Sequence, residues 1–237
     1  MNHRFLILLP YFNRPRLIRN ALQSIKDSDY PHWELAFIDD GSDEKANDIL
    51  WEYFAGDRRV TYSYLNRPKE VKLKKGSDHG AALNRAMKRS KADIAMFLCD
   101  DDALVPDYMG KLNKWYNDNP SAMWAYSHVY IWNPLEQGLD YGSLKDKNHW
   151  HNNCTEAILP SAKLDASQVT WKLLCNKKGN CWFPPRWWNL DQFFYRDMGT
   201  AYGHCLFTGL TGQYKAIHSK QLVHWKGSKT AFMEARE

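Results

Sequence analysis

Asp100, Asp101 and Asp102 follow directly on the apolar run Ile94 to Cys99. A buried carboxylate is costly unless it is paired, and adjacent like charges repel. Three in a row at the end of a core segment therefore call for a positive partner. A hard divalent cation, Mg²⁺ or Mn²⁺, suits such oxygen donors and takes one or two protein carboxylates beside phosphate oxygens. Asp100 and Asp102 lie two apart, so in an extended segment they point the same way. Solvated side chains at an acidic strand end are the plainer alternative. A second acidic pair, Asp39-Asp40, closes another short apolar run, Leu35 to Ile38, and leads into Gly41-Ser42.

The elements around these residues follow from apolar spacing. Arg4 to Leu9 reads as a buried strand stopped by Pro10. Leu17, Ile18, Ala21, Leu22 and Ile25 share one face of a helix predicted over Pro15 to Ser28, with Asn13 as its N-cap. Strands follow at Leu35 to Ile38, Val60 to Leu65 and Ile94 to Cys99, and helices at Glu44 to Phe54, His79 to Ser90 and Asp107 to Asn117. That alternation predicts an α/β fold, a mostly parallel sheet with helices on both faces. Ligands of such sheets bind beyond the C-terminal strand ends. Pro10-Tyr11, Asp39-Asp40 and Asp100–Asp102 are thus expected on one rim.

From Met123 the texture changes. Trp124 to Trp132 predicts a long aromatic strand, residues 133 to 157 are polar and irregular, and aromatics gather at Trp182, Phe183, Trp187, Trp188, Phe193, Phe194 and Tyr195. Such rings either pack the second half or stack on a sugar or a base. Without a repeat or linker, the second half reads as an extension of one domain spanning 1–237.

Composition bounds the function classes. At 237 residues and 44% hydrophobic content the chain can build a full core, which argues against wholesale disorder. Its apolar runs are too short to span a bilayer and Asn2-His3-Arg4 opens no signal peptide, so a soluble, cytoplasmic protein is expected. The five cysteines lack CxxC spacing, which fits reduced thiols. A zinc site at His149, His151 and Cys154, completed by a distant Cys175, Cys181 or Cys205, is weighed against scattered polar loop residues, and the loop is preferred. The net charge of +5 is mild but clustered, at Arg67, Lys69, Lys72, Lys74 and Lys75, and at Lys215, Lys220, Lys226 and Lys229. Such clusters are either solvated loops or attractors of a diphosphate or nucleic-acid backbone.

The segments "LLPYFNRPRLIRNALQSI", "WELAFIDDGSDE", "GAALNRAMKRSKADIAMFLCDDDALVPDYMGKL" and "NLDQFFYRDM" together resemble the family 2 glycosyltransferases of the GT-A fold. The resemblance implies a nucleotide-sugar-binding half, 1–120, and an acceptor-side half, 121–237. It implies that Pro10, Tyr11 and Asn13 border the nucleotide, that Asp39 bonds the base or ribose with Asp40 beside it, and that Asn84 belongs to the donor site. Asp100 and Asp101 fall on the acidic motif, and Asp102 is the implied direct metal ligand, with Asp100 and the late His218 as further candidates. Cys99 stands where many members carry another aspartate. Asp191 matches the catalytic aspartate, although Leu190 replaces the usual preceding glutamate, and Arg196 follows where members often carry arginine. "LDASQVTWKLL" also resembles a stretch preceding that aspartate.

The implied reaction is inverting, metal-dependent sugar transfer from a nucleotide sugar, UDP being the commonest carrier, with Mn²⁺ or Mg²⁺ as cofactor. The acceptor is a saccharide, a lipid-linked glycan or a hydroxylated DNA base flipped into an aromatic pocket. A nucleotidyltransferase would show a glycine-rich basic loop after the first strand, where this chain has Pro10-Tyr11-Phe12-Asn13. A non-catalytic sugar- or nucleic-acid-binding module stays open.

Overall fold

The computed structural model describes residues 1–43, 46–66, 79–132, 164–179, 181–184 and 190–216. The strands are β1 (Phe5–Tyr11), β2 (Trp33–Asp39), β3 (Val60–Tyr64), β4 (Ile94–Phe97), β5 (Ala103–Leu104), β6 (Trp124–Trp132), β7 (Val169–Lys172) and β8 (Leu206–Ala216). The helices are α1 (Ile18–Lys26), α2 (Asn47–Phe54), α3 (His79–Arg89), α4 (Tyr108–Asp118), α5 (Leu174–Gly179) and α6 (Leu190–Tyr202). All strands join one sheet in the order β3-β2-β1-β4-β7-β6-β8-β5.

The period of two along β1 divides the core. Phe5, Ile7, Leu9 and Tyr11 pack on Ile18, Ala21, Leu22 and Ile25 of α1, on Leu50 and Phe54 of α2, and on Tyr108, Met109 and Leu112 of α4. Leu6 and Leu8 face the opposite layer, with Ala82, Leu83 and Met87 of α3 and Phe194, Tyr195 and Met198 of α6. A strand covered on both faces must be apolar at every position, which is why β1 reads as a continuous run.

β1 does not stop at Pro10 but continues to Tyr11, paired with Asp39. Leu98 N–H bonds the Leu8 carbonyl, so the even residues of β1 face β4. The last β1–β4 pair is Leu8 with Phe97. Pro10's missing N–H therefore falls where the neighbouring strand has already ended, and no ladder bond is lost. Asn13 is likewise not the N-cap of α1, which begins at Ile18 after a turn, with Leu17 at the cap. Its φ of 51° lies in the left-handed region that asparagine tolerates, and its side chain serves another purpose described below.

The sheet is parallel from β3 through β4, but β7 runs antiparallel to both β4 and β6, and β5 antiparallel to β8. β5 and β7 are short, and β8 mixes Thr, Gly and Gln among its apolar residues, so sequence periodicity found none of them. Among the described residues no helix is long and apolar enough to cross a membrane.

Candidate active site

Three loops leave the C-terminal ends of β1, β2 and β4 and are laced together. Phe12 N–H donates to Asp100 Oδ2 at 2.9 Å, tying the β1 loop to the acidic triplet. Asn13 N–H donates to Ser42 Oγ at 3.1 Å, Asn13 Nδ2 to Asp43 Oδ2 at 3.0 Å, and Asp43 N–H returns a bond to Asn13 Oδ1 at 2.9 Å. Asn13 thus clamps the β1 loop to the β2 loop.

Asp39 is fully buried and accepts from Ser42 N–H at 2.9 Å, Ala46 N–H at 3.2 Å and the Tyr62 hydroxyl at 3.1 Å. Three donors satisfy the buried side chain's oxygens. Asp40, half-buried on the rim, donates its N–H to the Tyr11 carbonyl at 2.9 Å. Pro10 is also half-buried there, whereas the Tyr11 ring turns into the core against Phe37, with centroids 5.6 Å apart.

The positive partners that the acidic triplet requires are two side chains. Arg14 donates from one guanidinium nitrogen to Asp100 Oδ1 at 2.6 Å and to Asp101 Oδ2 at 3.0 Å. Lys215 Nζ lies 3.2 Å from Asp102 Oδ2 and 3.2 Å from Asp165 Oδ1, and Ala216 N–H donates to Asp102 Oδ1 at 2.9 Å. Both cations are largely buried with their partners. The two-residue β5 is what brings Lys215 here. It begins immediately after Asp102 and pairs Ala103 with Tyr214 and Leu104 with Gln213. Gln213 Nε2 further donates to the Phe97 carbonyl at 2.6 Å, fixing β8 over the end of β4.

Burial pushes the Asp102 carboxyl up to about 7, against the pull of Lys215 and with the help of Asp101 and Asp165. Burial also raises Asp100, with Arg14 opposing. Asp165 goes the other way: Lys215 and the Ser167 donors outweigh its burial and hold it below the usual range. It doubles as the cap of the 3₁₀ turn Ala166–Gln168, accepting from Ser167 N–H and Ser167 Oγ. Among the described residues these four carboxyl groups face one arginine and one lysine, so acidic groups outnumber their cations.

Among the described residues the one group that could hold a metal is Cys99, Asp101 and Asp102, whose ligand atoms lie within 4.8 Å of one another. Cys99 offers a soft sulfur, a poor ligand for a hard ion, and burial first of all raises its thiol well above the ordinary range. The two carboxyl groups offer the oxygen donors that a hard divalent cation takes. His218 and the basic residues 67–75 and 220–229 lie outside the described residues, as do His149, His151, Cys154, Trp187 and Trp188.

Asp191 stands in the first turn of α6, where the helix dipole favours a carboxylate. Burial raises its pKa; its own and Gln192's N–H groups and Lys215 pull it down, and Asp165 pushes it up. Asp165 and Lys215 therefore link the acidic triplet electrostatically to Asp191. Tyr195, one turn on, buries a hydroxyl that has no hydrogen-bond partner among the described residues. Arg196 points out and pairs with Asp197 at 2.9 Å.

Asn84 is bound in both directions to one residue: Nδ2 donates to the Phe183 carbonyl at 2.9 Å and Phe183 N–H donates to Oδ1 at 3.0 Å. Its amide ties α3 to the segment preceding α6. Gly80, one turn earlier, lets that segment approach, since a Cβ there would collide with the Pro184 carbonyl.

Arg14 and Asp165 are not expected in the site from the sequence, and Lys215 is expected only as one of a basic cluster that attracts an anion, not as the partner of Asp102.

Residues 6–160 match the family model described as Glycosyl transferase family 2. The chain is 26% identical over 124 residues to the GalNAc(5)-diNAcBac-PP-undecaprenol beta-1,3-glucosyltransferase of Campylobacter jejuni, covering 52% of this chain and 36% of that protein. The matches span between about a fifth and two fifths of the length of the curated relatives. Among solved structures, S. aureus TarS 1-349 in complex with UDP-GlcNAc superposes with a TM-score of 0.70 at 16% identity, over 98% of this chain and 64% of that one. The mannosyltransferase PcManGT from Pyrobaculum calidifontis, in complex with GDP-Man and Mn2+, does so with a TM-score of 0.60 at 16% identity, over 92% and 58%. These likenesses are of fold, the GT-A arrangement expected from the motifs. With well over half of its length inside the matched region, this chain belongs to glycosyl transferase family 2.

Proposed function

We propose that the protein is an inverting glycosyltransferase that moves a sugar from a nucleotide-sugar donor to a hydroxyl of a saccharide acceptor. The observation that carries this reading is the laced rim: three loops from separate strand ends meet around Asp100–Asp102, and Lys215 ties Asp102 to Asp165. Residues 1–120 hold the donor and residues 121–237 the acceptor.

In this reading Pro10 and Asp40 border the nucleoside. Asp39, Asn13 and Tyr11 act through the loops they hold, and Asn84 positions the segment leading to the base. Asp101 and Asp102 would hold Mn²⁺ or Mg²⁺, which when bound neutralises the charge that develops on a departing diphosphate. Arg14 keeps Asp100 and Asp101 in place. Asp191 takes the proton of the acceptor hydroxyl as its oxygen attacks the anomeric carbon. The nucleoside diphosphate leaves from the opposite face with the electron pair of the broken C–O bond, so the anomeric configuration inverts. Such a base contributes on the order of 10²- to 10⁴-fold in rate. A saccharide is preferred to a hydroxylated DNA base because a matched relative is named as a GalNAc(5)-diNAcBac-PP-undecaprenol beta-1,3-glucosyltransferase.

The test is a melting-temperature panel of UDP- and GDP-sugars with and without Mn²⁺, followed by assay of diphosphate release in Asp191→Asn. The proposal expects one nucleotide class to stabilise the protein, and the variant to bind it while losing turnover. A panel without any shift, or a variant with undiminished turnover, refutes it.

A further inference from the structure

Both carboxylate oxygens of Asp102 already have a protein donor. Oδ1 accepts Ala216 N–H at 2.9 Å, and Oδ2 lies 3.2 Å from Lys215 Nζ. The same ammonium lies 3.2 Å from Asp165 Oδ1, and its side chain is only 13% exposed. A full positive charge thus sits at the carboxylate implied as the direct metal ligand. An ammonium and a divalent ion cannot share that oxygen without strong repulsion. Nor is this a chance surface contact, since Lys215 is delivered by the β5–β8 pairing and by Gln213 on the Phe97 carbonyl. Lysine suits such a role, being a compact point charge on a flexible stem.

We propose that Lys215 is a resident cation of the acidic site: it bridges Asp102 and Asp165 in the metal-free protein and must leave Asp102 before a divalent ion binds there, so it sets the metal affinity. After that exchange the ammonium retains Asp165, the carboxylate that Asp191 also senses. The inference rests on the glycosyl-transfer reading only for the choice of ion. The competition belongs to a binding step that needs no turnover.

The experiment uses the full chain and Mn²⁺ alone, with no nucleotide. Binding is measured by calorimetry, and melting temperature is followed with and without the ion, for wild type, Lys215→Met and Lys215→Gln. Both variants leave Asp102 and Asp165 facing each other without the bridge, so both should melt lower than wild type without metal. Mn²⁺ should then restore them, binding about tenfold tighter or more than to wild type, because it no longer displaces a tethered cation. Affinity in the variants equal to or weaker than wild type overturns the proposal. So does failure of both variants to fold even when purified with Mn²⁺, since the ion would then not replace the ammonium. A silent nucleotide-sugar panel alongside a large gain in Mn²⁺ affinity would refute the transferase reading and leave this one standing.

Discussion

Substituting Gly212 by alanine should loosen the strand that delivers Lys215. A Cβ at Gly212 would lie 2.5 Å from Tyr108 Cζ and 2.8 and 2.9 Å from its Cε atoms. Carbon atoms rest at about 3.5 Å or more, so the ring must retreat by roughly 1 Å. Tyr108 cannot swing aside cheaply. It is 1% exposed, and its hydroxyl shares a 2.9 Å hydrogen bond with Ser127 Oγ, which in turn shares one of 2.7 Å with Thr208 Oγ1. Overpacking of this kind costs about 1–3 kcal/mol, and a strained or broken buried hydrogen bond adds about 1 kcal/mol. The total is about 2–4 kcal/mol, or on the order of 5–15 °C in Tm for a chain of this size. If β8 yields instead of the ring, Lys215 and Ala216 N–H shift against Asp102, and kcat should fall about 10- to 100-fold with that misplacement. Thermal and urea unfolding with transfer kinetics read both effects. Tyr108→Leu, which removes the ring, should itself destabilise the protein but make Gly212→Ala nearly harmless upon it. Wild-type Tm and kcat in Gly212→Ala, or strict additivity in the double variant, would refute the reasoning.

Arg14→Ala leaves Asp100 and Asp101 buried without their shared cation and should cost about 3–5 kcal/mol in urea unfolding; Arg14→Lys should recover part of it. Because burial raises the Asp191 carboxyl, and a base must be deprotonated to act, the acid limb of the kcat/KM profile should lie above the ordinary carboxylate value of about 4. Activity falls as pH drops through that limb, and a limb at or below the ordinary value would count against Asp191 as the base. The same raised pKa favours the protonated form on folding, so this carboxyl's own contribution to stability is fullest below its unfolded pKa. It declines as pH rises through the folded one, opposite in sign to the rate effect.

What the sequence determined by itself were features written in local periodicity. The alternation from β1 to α4 follows from apolar spacing that each segment carries alone, and the rim follows from the parallel order of β1, β2 and β4. The unanswered charge of Asp100–Asp102 even required a cation, and in that sense Arg14 and Lys215 were owed before they were located. Which residues supply it is another matter. Lys215 stands 113 positions from Asp102 and Asp165 belongs to a 3₁₀ turn. Lys215 reaches Asp102 because β8 pairs with β6 and with β5, and the β5 ladder is two residues long, too short to leave a pattern. Asn13 shows the same division. Its type suggested a helix cap, a local role, but a distant partner at Asp43 offered two reciprocal hydrogen bonds and took the side chain instead. Local propensity is a matter of tenths of a kcal/mol, whereas a buried unpaired charge costs several, so tertiary pairing decided where every charged group in the site finally points.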